Sequence, residues 1–306
     1  MTATGFIVRL EGGYYFVRIE DGTVVRSTIR GRLRQQRSED TSFLTLGDHV
    51  VLTWSTLEDG LIEERLPRSS ELARKSPLPG RRRPHRQVLL ANISLVAVVA
   101  SLAEPQFTPL LTDRFLVIAE DAEVRVILVL TKRDLAAEDC AEAIAAPYRR
   151  AGYCVLMTSM VTEDGLDSLA RELRGEVAAF IGPSGVGKSS LVNWLCPLAQ
   201  LRVGDVNRAQ DRGRHTTTVG RLIEWSEGSW IADTPGLREV DAYDLEPQRL
   251  AWLFPEFRPF LQRGCRFSGC LHRVEPGCAV RRAVQQDEIA GERYNSYLRL
   301  LRSLRS

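Results

Sequence analysis

The stretch that decides the fold is Gly182-Pro183-Ser184-Gly185-Val186-Gly187-Lys188-Ser189. It follows an apolar run, Val177 to Ile181, and precedes Ser190 to Leu195, so it is predicted to join a buried strand to a helix. Glycines let backbone N–H groups turn around phosphate oxygens, and the start of the helix adds a favourable field for an anion. The stretch therefore predicts a P-loop whose residues as far as Ser190 bind a nucleotide. Lys188 would reach the β- and γ-phosphates, and Ser189 would ligate Mg²⁺.

A P-loop indicates phosphate but not the base, because an ATPase, a transporter subunit or a nucleotide kinase has the same pattern. The base is indicated by Thr131-Lys132-Arg133-Asp134, which follows the predicted strand Val124 to Leu130. GTPases read guanine with Asn-Lys-x-Asp, in which the Asp accepts the N1 and N2 hydrogens of guanine and the Lys stem covers the ring. Asp134 and Lys132 are therefore the predicted guanine readers, and Thr131 offers a hydroxyl in place of the commoner amide. Alone, Lys-x-Asp at a strand end is a common surface turn.

Two further segments fit the γ-phosphate side of a GTPase. Asp233-Thr234-Pro235-Gly236 matches Asp-x-x-Gly, in which Asp233 would hold Mg²⁺ through water and the Gly236 N–H would sense the γ-phosphate. The run Arg212-Gly213-Arg214-His215-Thr216-Thr217-Thr218 supplies hydroxyls for the other switch. Thr217 is the predicted Mg²⁺ ligand and Thr216 the second choice, although such a run is also typical of a strand edge.

Many GTPases orient the attacking water with a Gln after Asp-x-x-Gly, but here that position is Leu237. His215 is the candidate replacement, because it adjoins the switch threonines and an imidazole can orient water or accept its proton. The alternatives are that His215 is structural or contacts a partner, and that an activating partner completes the site.

A cysteine cluster near the C-terminus predicts a metal centre. Its spacing is Cys265-x4-Cys270-x-His272-x5-Cys278, and three sulfurs with one imidazole fit a tetrahedral, structural Zn²⁺. Because all four positions are filled by protein, catalysis by this metal is not expected. Cys140, Cys154 and Cys196 lack such spacing and are expected to be small buried or half-buried residues.

The rest of the chain suggests three regions. Up to about residue 70, short β-rich pieces alternate with turn residues, which favours a small barrel. Residues 67–86 are rich in Pro, Arg and Ser without periodicity, which is typical of a linker. From Gln87, apolar strands alternate with helical segments as in a parallel α/β domain. The segment Val280 to Leu304 is predicted to be a closing helix.

Charge and composition limit the partners. The net charge of +2 does not by itself indicate nucleic acid, but five arginines and no acid lie between Arg26 and Arg37. A second cationic run is Arg81-Arg82-Arg83-Pro84-His85-Arg86, although either run alone also fits a solvated surface or linker. No apolar stretch approaches the roughly 20 residues that span a bilayer, and the start lacks the pattern of a secretory signal. We therefore expect a cytoplasmic protein without membrane contact.

The order of these motifs is unusual, because ordinary GTPases begin with the P-loop and this chain places the guanine reader before it. The same sheet can still form, since strands meet in space whatever their chain order. With this order, the P-loop, Arg214 to Thr218, Asp233 to Gly236 and the Cys/His cluster, the sequence resembles the RsgA family of ribosome small-subunit-dependent GTPases over nearly its whole length.

The resemblance implies an N-terminal OB-fold barrel, a circularly permuted α/β P-loop GTPase domain and a C-terminal zinc-binding domain with helices, expected at residues 1–75, 86–243 and 244–306. It implies GTP hydrolysis in late maturation of the small ribosomal subunit, with rRNA contact and ribosome-stimulated turnover, by what we expect is a monomer. The nucleotide-binding residues are then Thr131 to Asp134, Ser159 in the loop Thr158 to Met160, the P-loop, Thr217, Asp233 and Gly236. Two alternatives stay open: an RNA-binding factor that uses GTP only as a slow switch, and an ATP-dependent kinase or transporter subunit.

Overall fold

The computed structural model describes residues 1–31, 43–76, 85–197, 220–233 and 245–304. The chain forms two compact units, and each is assembled from separate pieces of sequence. The first unit comprises Met1–Val96, Arg171–Phe180 and Ser189–Asp241. The second comprises Ala97–Ala170, Ile181–Lys188 and Ala242–Ser306.

The described elements follow the chain in this order. The strands are β1 (Thr2–Glu11), β2 (Tyr14–Ile19), β3 (Val24–Ile29), β4 (His49–Thr56), β5 (Asp59–Arg65), β6 (Glu71–Ser76), β7 (His85–Ala91), β8 (Leu95–Ser101), β9 (Arg125–Thr131), β10 (Cys154–Met157), β11 (Val177–Ile181), β12 (Gly220–Ser226) and β13 (Ser229–Asp233). The helices are α1 (Pro109–Asp121), α2 (Glu138–Arg150), α3 (Leu166–Leu173), α4 (Lys188–Leu195), α5 (Pro247–Trp252), α6 (Arg258–Arg263), α7 (Ala279–Gln285) and α8 (Gly291–Ser303). Short 3₁₀ turns lie at Arg133–Leu135 and Pro255–Phe257.

Strands β1 to β5 close into a barrel. Neighbouring strands follow the order β1-β2-β3-β5-β4, and β4 pairs back onto β1. Strand β1 pairs with both β2 and β4, which closes the barrel. Its register with β2 shifts between Ile7 and Arg9, where the strand bends. The parallel pair of β3 and β5 is close: a side chain at Gly60 would place its Cβ 2.3 Å from the Ser27 hydroxyl. The barrel interior is filled by fully buried aliphatic side chains, namely Ile7, Val17, Val25, Val50, Leu52 and Ile62.

The predicted linker at residues 67–86 is wrong in part, because strands β6 and β7 pair there as an antiparallel hairpin. Its apolar positions, which include Leu72, Val88 and Leu90, are buried. Arg68 attaches this segment to the barrel: its guanidinium lies 2.6 and 2.8 Å from the two carboxylate oxygens of Asp48, and both side chains are buried. The charged composition that suggested a linker instead includes an ion pair within the fold.

The first unit continues from the barrel into part of the α/β region. Strand β12 pairs antiparallel with β1 and with β13, and β13 pairs in parallel with β11. Phe6 of the barrel packs edge-on against Trp230 of β13, with 5.1 Å between ring centres. The barrel strands and the α/β strands of this unit therefore belong to one continuous hydrogen-bonded sheet.

In the second unit, strands β8, β9 and β10 lie side by side, and β9 and β10 are parallel. All seven residues of β8 are buried, as expected for a strand covered on both faces. Helix α2 follows β9 and was not predicted. Its buried residues Ala141, Ala145 and Tyr148 recur every three to four positions, but small alanines give a weak apolar signal.

The expected single closing helix is two helices, α7 and α8. The break lies at Asp287, whose φ of 55° is left-handed and incompatible with a continuous helix. A separate core joins these helices to α5 and to Val117 of α1, and its largest side chains are Phe254, Phe257 and Tyr297. Among the described residues, no helix combines the length and apolar character needed to cross a bilayer.

Candidate active site and metal centre

The predicted P-loop joins β11 to α4, as the sequence indicated. Gly182, Gly185 and Gly187 have φ values of 145°, 79° and 97°, which other residues rarely adopt. At Gly182 the backbone also approaches β8 so closely that a Cβ would lie 2.1 Å from the carbonyl oxygen of Val99. The Lys188 ammonium donates to the carbonyl oxygens of Gly182 and Pro183, so its side chain folds over the loop.

The segment predicted to read guanine lies against the predicted P-loop. Thr131, the last residue of β9, donates its hydroxyl to the carbonyl oxygen of Val186 at 2.6 Å. Asp134 accepts a hydrogen bond of 2.6 Å from the buried Ser159 hydroxyl. Arg133 contacts the Ala136 carbonyl oxygen and the Glu138 carboxylate instead. The structure thus brings Thr131, Asp134 and Ser159 to one place in the second unit.

Ser159 also organises its own loop. Its hydroxyl oxygen accepts the backbone N–H groups of Val161 and Thr162, each at 3.1 Å. The segment is tied to the guanine reader by the Arg133 N–H, which donates to the carbonyl oxygen of Thr158. Met160 is left partly exposed.

A third segment at this edge, residues 102–108, was missed by the sequence reasoning. The Lys132 ammonium donates to the carbonyl oxygen of Glu104, and the Ser101 hydroxyl donates to that of Pro105 at 2.6 Å. The Pro105 ring is 3.8 Å from where a Cβ on Gly185 would lie. Residues 102–108, named the capping loop here, therefore touch the guanine reader and the P-loop. The motif-free sequence between β8 and α1 gave no signal for this.

The remaining predicted residues are either undescribed or belong to the first unit. His215, Thr216, Thr217, Thr218 and Gly236 lie outside the described residues. Ser189 and Ser190 occupy the first turn of α4. Asp233 is the last residue of β13 and its carboxylate lies 3.3 Å from the Arg221 guanidinium.

The predicted metal ligands form a cluster. One ligand atom each from Cys265, Cys270, His272 and Cys278 lies within 4.8 Å of the others, and the cluster could hold a metal ion. Burial lowers the pKa of His272, which favours the neutral imidazole that binds metals. Backbone N–H groups of residues 272, 279 and 281 point at the sulfurs of Cys270, Cys265 and Cys278, each at 3.4 Å.

Residues outside the motif shape the metal-binding loop. The Glu275 carboxylate accepts the backbone N–H groups of Leu271, Arg273 and Val274, and these bonds outweigh burial and lower its pKa to about 2. The hydroxyls of Tyr294 and Tyr297 in α8 donate to the carbonyl oxygens of His272 and Leu271, at 2.6 and 2.8 Å. The only sequence signal for this support was the apolar face of the closing helix.

Comparison with known proteins decides the family. The sequence profile of the RsgA GTPase matches residues 65–243, and that of the RsgA N-terminal domain matches residues 4–62. The chain belongs to the RsgA GTPase family. It is accordingly a GTP-hydrolysing enzyme with an N-terminal OB-fold barrel and a circularly permuted GTPase domain. The alternative of an ATP-dependent kinase or transporter subunit is thereby wrong.

Relatives and solved structures agree over nearly the full length. A protein of Gemmatimonas aurantiaca named small ribosomal subunit biogenesis GTPase RsgA is 42% identical, covering 98% of this chain and 96% of the relative. A protein of the same name from Geobacillus kaustophilus is 39% identical, covering 97% and 95%. The crystal structure of YjeQ from Thermotoga maritima matches with a TM-score of 0.80 at 30% identity, covering 99% of each chain. That of YloQ, a circularly permuted GTPase, matches with a TM-score of 0.77 at 31% identity, covering 100% of this chain and 96% of the other.

Thr131 is where this RsgA chain departs from the Asn of the common guanine motif. Its hydroxyl donates to the Val186 carbonyl oxygen and lies 3.3 Å from that of Ala100. Its methyl and Cβ lie 3.8 Å from where a Cβ on Gly187 would be. The Thr131 hydroxyl therefore links strand β9 to the P-loop.

We predict that Thr131→Val weakens GDP binding by about tenfold, because an unsatisfied buried carbonyl costs about 1–3 kcal/mol and the P-loop loses its link to β9. Thr131→Ser, which keeps the hydroxyl, should bind GDP nearly as the parent does. The measurement is titration with a fluorescent GDP. Thr45→Val is the matched control, since Thr45 is also buried and also donates to a carbonyl, that of Leu89 in the first unit. Equal affinities for Thr131→Val and the parent would contradict the prediction.

Proposed function

We propose that this chain couples Mg²⁺-dependent hydrolysis of GTP to GDP and phosphate to the binding and release of an immature small ribosomal subunit in the cytoplasm. The observation that carries the nucleotide part is the packing of the guanine reader on the P-loop, through Thr131 and Val186. The ribosomal part is supported by the name that the full-length relatives share.

The residue roles are proposals. Asp134, held by Ser159, accepts the guanine N1 and N2 hydrogens, and the Lys132 stem covers the ring. Backbone N–H groups of the P-loop bind the phosphates, and Lys188 moves from the loop carbonyls to the β- and γ-phosphates. Ser189 and Thr217 would ligate Mg²⁺, Asp233 would hold it through water, and the Gly236 N–H would sense the γ-phosphate. Mg²⁺, when bound, would neutralise part of the negative charge on the phosphate oxygens.

His215 is our candidate for orienting the attacking water, because Leu237 offers no side-chain hydrogen bond. A second candidate function is an RNA-binding assembly factor in which GTP serves only as a slow structural switch. It differs from the first proposal in that the small subunit would not accelerate GTP turnover.

We predict that purified small ribosomal subunits raise the GTPase rate by about tenfold or more, because a partner can complete a slow site. The measurement is phosphate release with and without subunits. Lys188→Ala should lower the stimulated rate by about 100-fold, since it removes phosphate charge stabilisation. His215→Ala should lower turnover while GTP binding stays normal, and unchanged turnover would remove that role. Absence of stimulation in the parent would favour the slow-switch alternative.

For the metal centre we propose one structural Zn²⁺. Tetrahedral Zn–S bonds of about 2.3 Å separate neighbouring ligands by about 3.8 Å. The distances from Cys265 Sγ to Cys278 Sγ, and from His272 Nδ1 to the sulfurs of Cys265 and Cys278, are 3.9, 3.5 and 3.3 Å. The donor set and its spacing therefore fit zinc, which would hold the loop between α6 and α7.

We predict one zinc per chain in the purified protein, measured by elemental analysis. Cys265→Ser should lose the metal and speed hydrogen exchange across residues 250–304, because metal binding contributes to folding of this loop. Cys196→Ser is the control, since Cys196 is buried but lies outside the cluster. Carefully prepared parent protein without zinc would refute the proposal.

For rRNA we propose a contact surface on strands β1 to β3 of the barrel. Phe16 stands directly opposite Arg9 on one neighbouring strand and Arg26 on the other. The Arg9 guanidinium lies 3.7 Å from the centre of the Phe16 ring, and that of Arg26 lies 4.8 Å from the ring of the exposed Tyr14. Alternating cations and rings suit phosphates and stacked bases. The first cationic run, which begins at Arg26, continues into residues that are not described.

We predict that the double variant Arg9→Gln/Arg26→Gln weakens binding to small subunits and reduces the dependence of log affinity on log salt by about two, since two phosphate contacts are lost. The measurement is co-sedimentation over a salt series. The matched control is Arg149→Gln/Arg150→Gln, two arginines of α2 whose exposure of 42% and 47% resembles the 43% and 39% of Arg9 and Arg26. An equal effect of both double variants would show a nonspecific charge effect only.

For the organisation of the chain we propose three domains: an OB-fold RNA-binding domain at 1–75, a GTPase domain at 86–243 and a zinc-binding domain at 244–306. We also propose that the chain acts as a monomer. The cytoplasmic location follows from the proposed ribosomal partner.

A further inference from the structure

The guanidinium of Arg293 in α8 is buried, and each of its three nitrogens donates a hydrogen bond. Only 2% of its side chain is exposed. It donates to Asp113 of α1 at 2.5 Å and to both carboxylate oxygens of Glu256 at 2.7 and 3.2 Å. Its guanidinium carbon also lies 4.7 and 5.2 Å from the ring centres of Phe254 and Tyr148. One side chain thus joins three parts of the second unit: α8, the turn before α6, and the region where α1 and α2 meet.

Asp113 is the residue through which this contact reaches the nucleotide site. It lies one turn into α1 and is completely buried. The capping loop, residues 102–108, leads directly into this helix, and the helix start is fixed by the Thr112 N–H bonded to the Thr108 carbonyl oxygen. Since a helix moves as a rigid rod, a shift of α1 at Asp113 carries the capping loop with it.

The capping loop in turn touches the predicted guanine reader. Glu104 holds the Lys132 ammonium through its carbonyl oxygen, and Pro105 lies against Gly185 of the P-loop. Lys132 itself has a left-handed φ of 57°, so its orientation depends on contacts of this kind. A continuous series of contacts therefore runs from α8 to the side chain that would cover the base.

We propose that Arg293 is a positioning residue for guanine-nucleotide binding, which it supports by holding α1 and the capping loop in place through Asp113. The inference depends on the proposed roles of Lys132 and Asp134 and extends them to the C-terminal helix. The same helix holds the metal-binding loop through Tyr294 and Tyr297. A partner that displaces α8 would thereby change nucleotide affinity, and by linkage the nucleotide would change the affinity for that partner.

The chain offers a matched control. Arg258 of α6 also joins the C-terminal helices to α1, but at the far end, where it pairs with Glu120 at 2.6 Å. Arg258→Met therefore breaks an ion pair between the same parts of the second unit without acting near the capping loop. Arg258 is 42% exposed, whereas Arg293 is buried, so the two substitutions are expected to differ in their effect on stability. A melting curve of each variant corrects for that difference. The comparison of nucleotide affinities then tests whether the position of the ion pair along α1 matters.

The experiment is a titration of full-length, metal-loaded protein with fluorescent GDP and GTP analogues below the melting temperature of each variant. We expect Arg293→Met to weaken both nucleotides by about fivefold or more and by the same factor, because the base is common to both. Arg293→Lys, which keeps the charge, should fall between this variant and the parent. Arg258→Met should stay within about twofold of the parent, since exposed ion pairs contribute little. Metal content should be unchanged throughout.

A double-variant cycle tests the route through Asp113. If Arg293 acts through this carboxylate, Asp113→Asn should weaken binding similarly, and Asp113→Asn combined with Arg293→Met should be no worse than either alone. Parent-like nucleotide affinity in Arg293→Met, or fully additive effects in the double variant, would overturn the proposal. A parent that binds no guanine nucleotide would instead contradict the proposed function.

Should Arg293→Met fail to fold, hydrogen exchange in the parent decides the question. GDP should slow exchange at the predicted guanine reader and the P-loop, and also at residues 110–117 of α1 and 291–297 of α8. Protection confined to residues 131–135 and 182–190 would overturn the proposal.

Discussion

The hydrogen bond from the Thr131 hydroxyl to the Val186 carbonyl oxygen is the contact on which the rest of the nucleotide site depends. It joins the segment that would recognise the base to the loop that would bind the phosphates. The close approach of Gly182 to Val99 fixes the other side of the same loop against β8. With both contacts made, the spacing between the predicted base and phosphate sites is set by one buried hydroxyl and by backbone atoms.

Circular permutation leaves this geometry intact because it changes chain order and not strand neighbours. Strands β9 and β10 are parallel and bring Thr131 and Met157 to one edge, and the Leu102 N–H after β8 donates to the Thr131 carbonyl oxygen there. The permuted order also places the helices after residue 244 downstream of the Asp-x-x-Gly segment. We propose that this segment is a route by which hydrolysis acts on the C-terminal region, and its residues after Asp233 are not described. The Arg293–Asp113 contact is a separate connection, made by folding and not by chain order.

The motifs made much of the fold and site predictable, because each encodes a local backbone requirement. The structure contains the strand and helix predicted on either side of the P-loop and the strand predicted before Asp134. It also contains the cluster that the Cys/His spacing predicted. The failures have local physical causes. Strand β6 has only two apolar residues, Leu72 and Ala73, and α2 has an alanine-rich buried face. The break at Asp287 depends on one left-handed residue that the helical pattern conceals.

The sequence by itself determined the family and the class of chemistry of this protein, and it predicted which residues would bind phosphate, discriminate guanine and ligate a metal. These depend on residue type and short spacing, which a chain carries without folding. Only the tertiary structure decided that Glu104 holds Lys132, that Tyr294 and Tyr297 support the metal-binding loop, and that Arg293 joins Asp113 across 180 positions. Such contacts arise from packing between distant segments, and neither periodicity nor motif spacing specifies which buried partners meet.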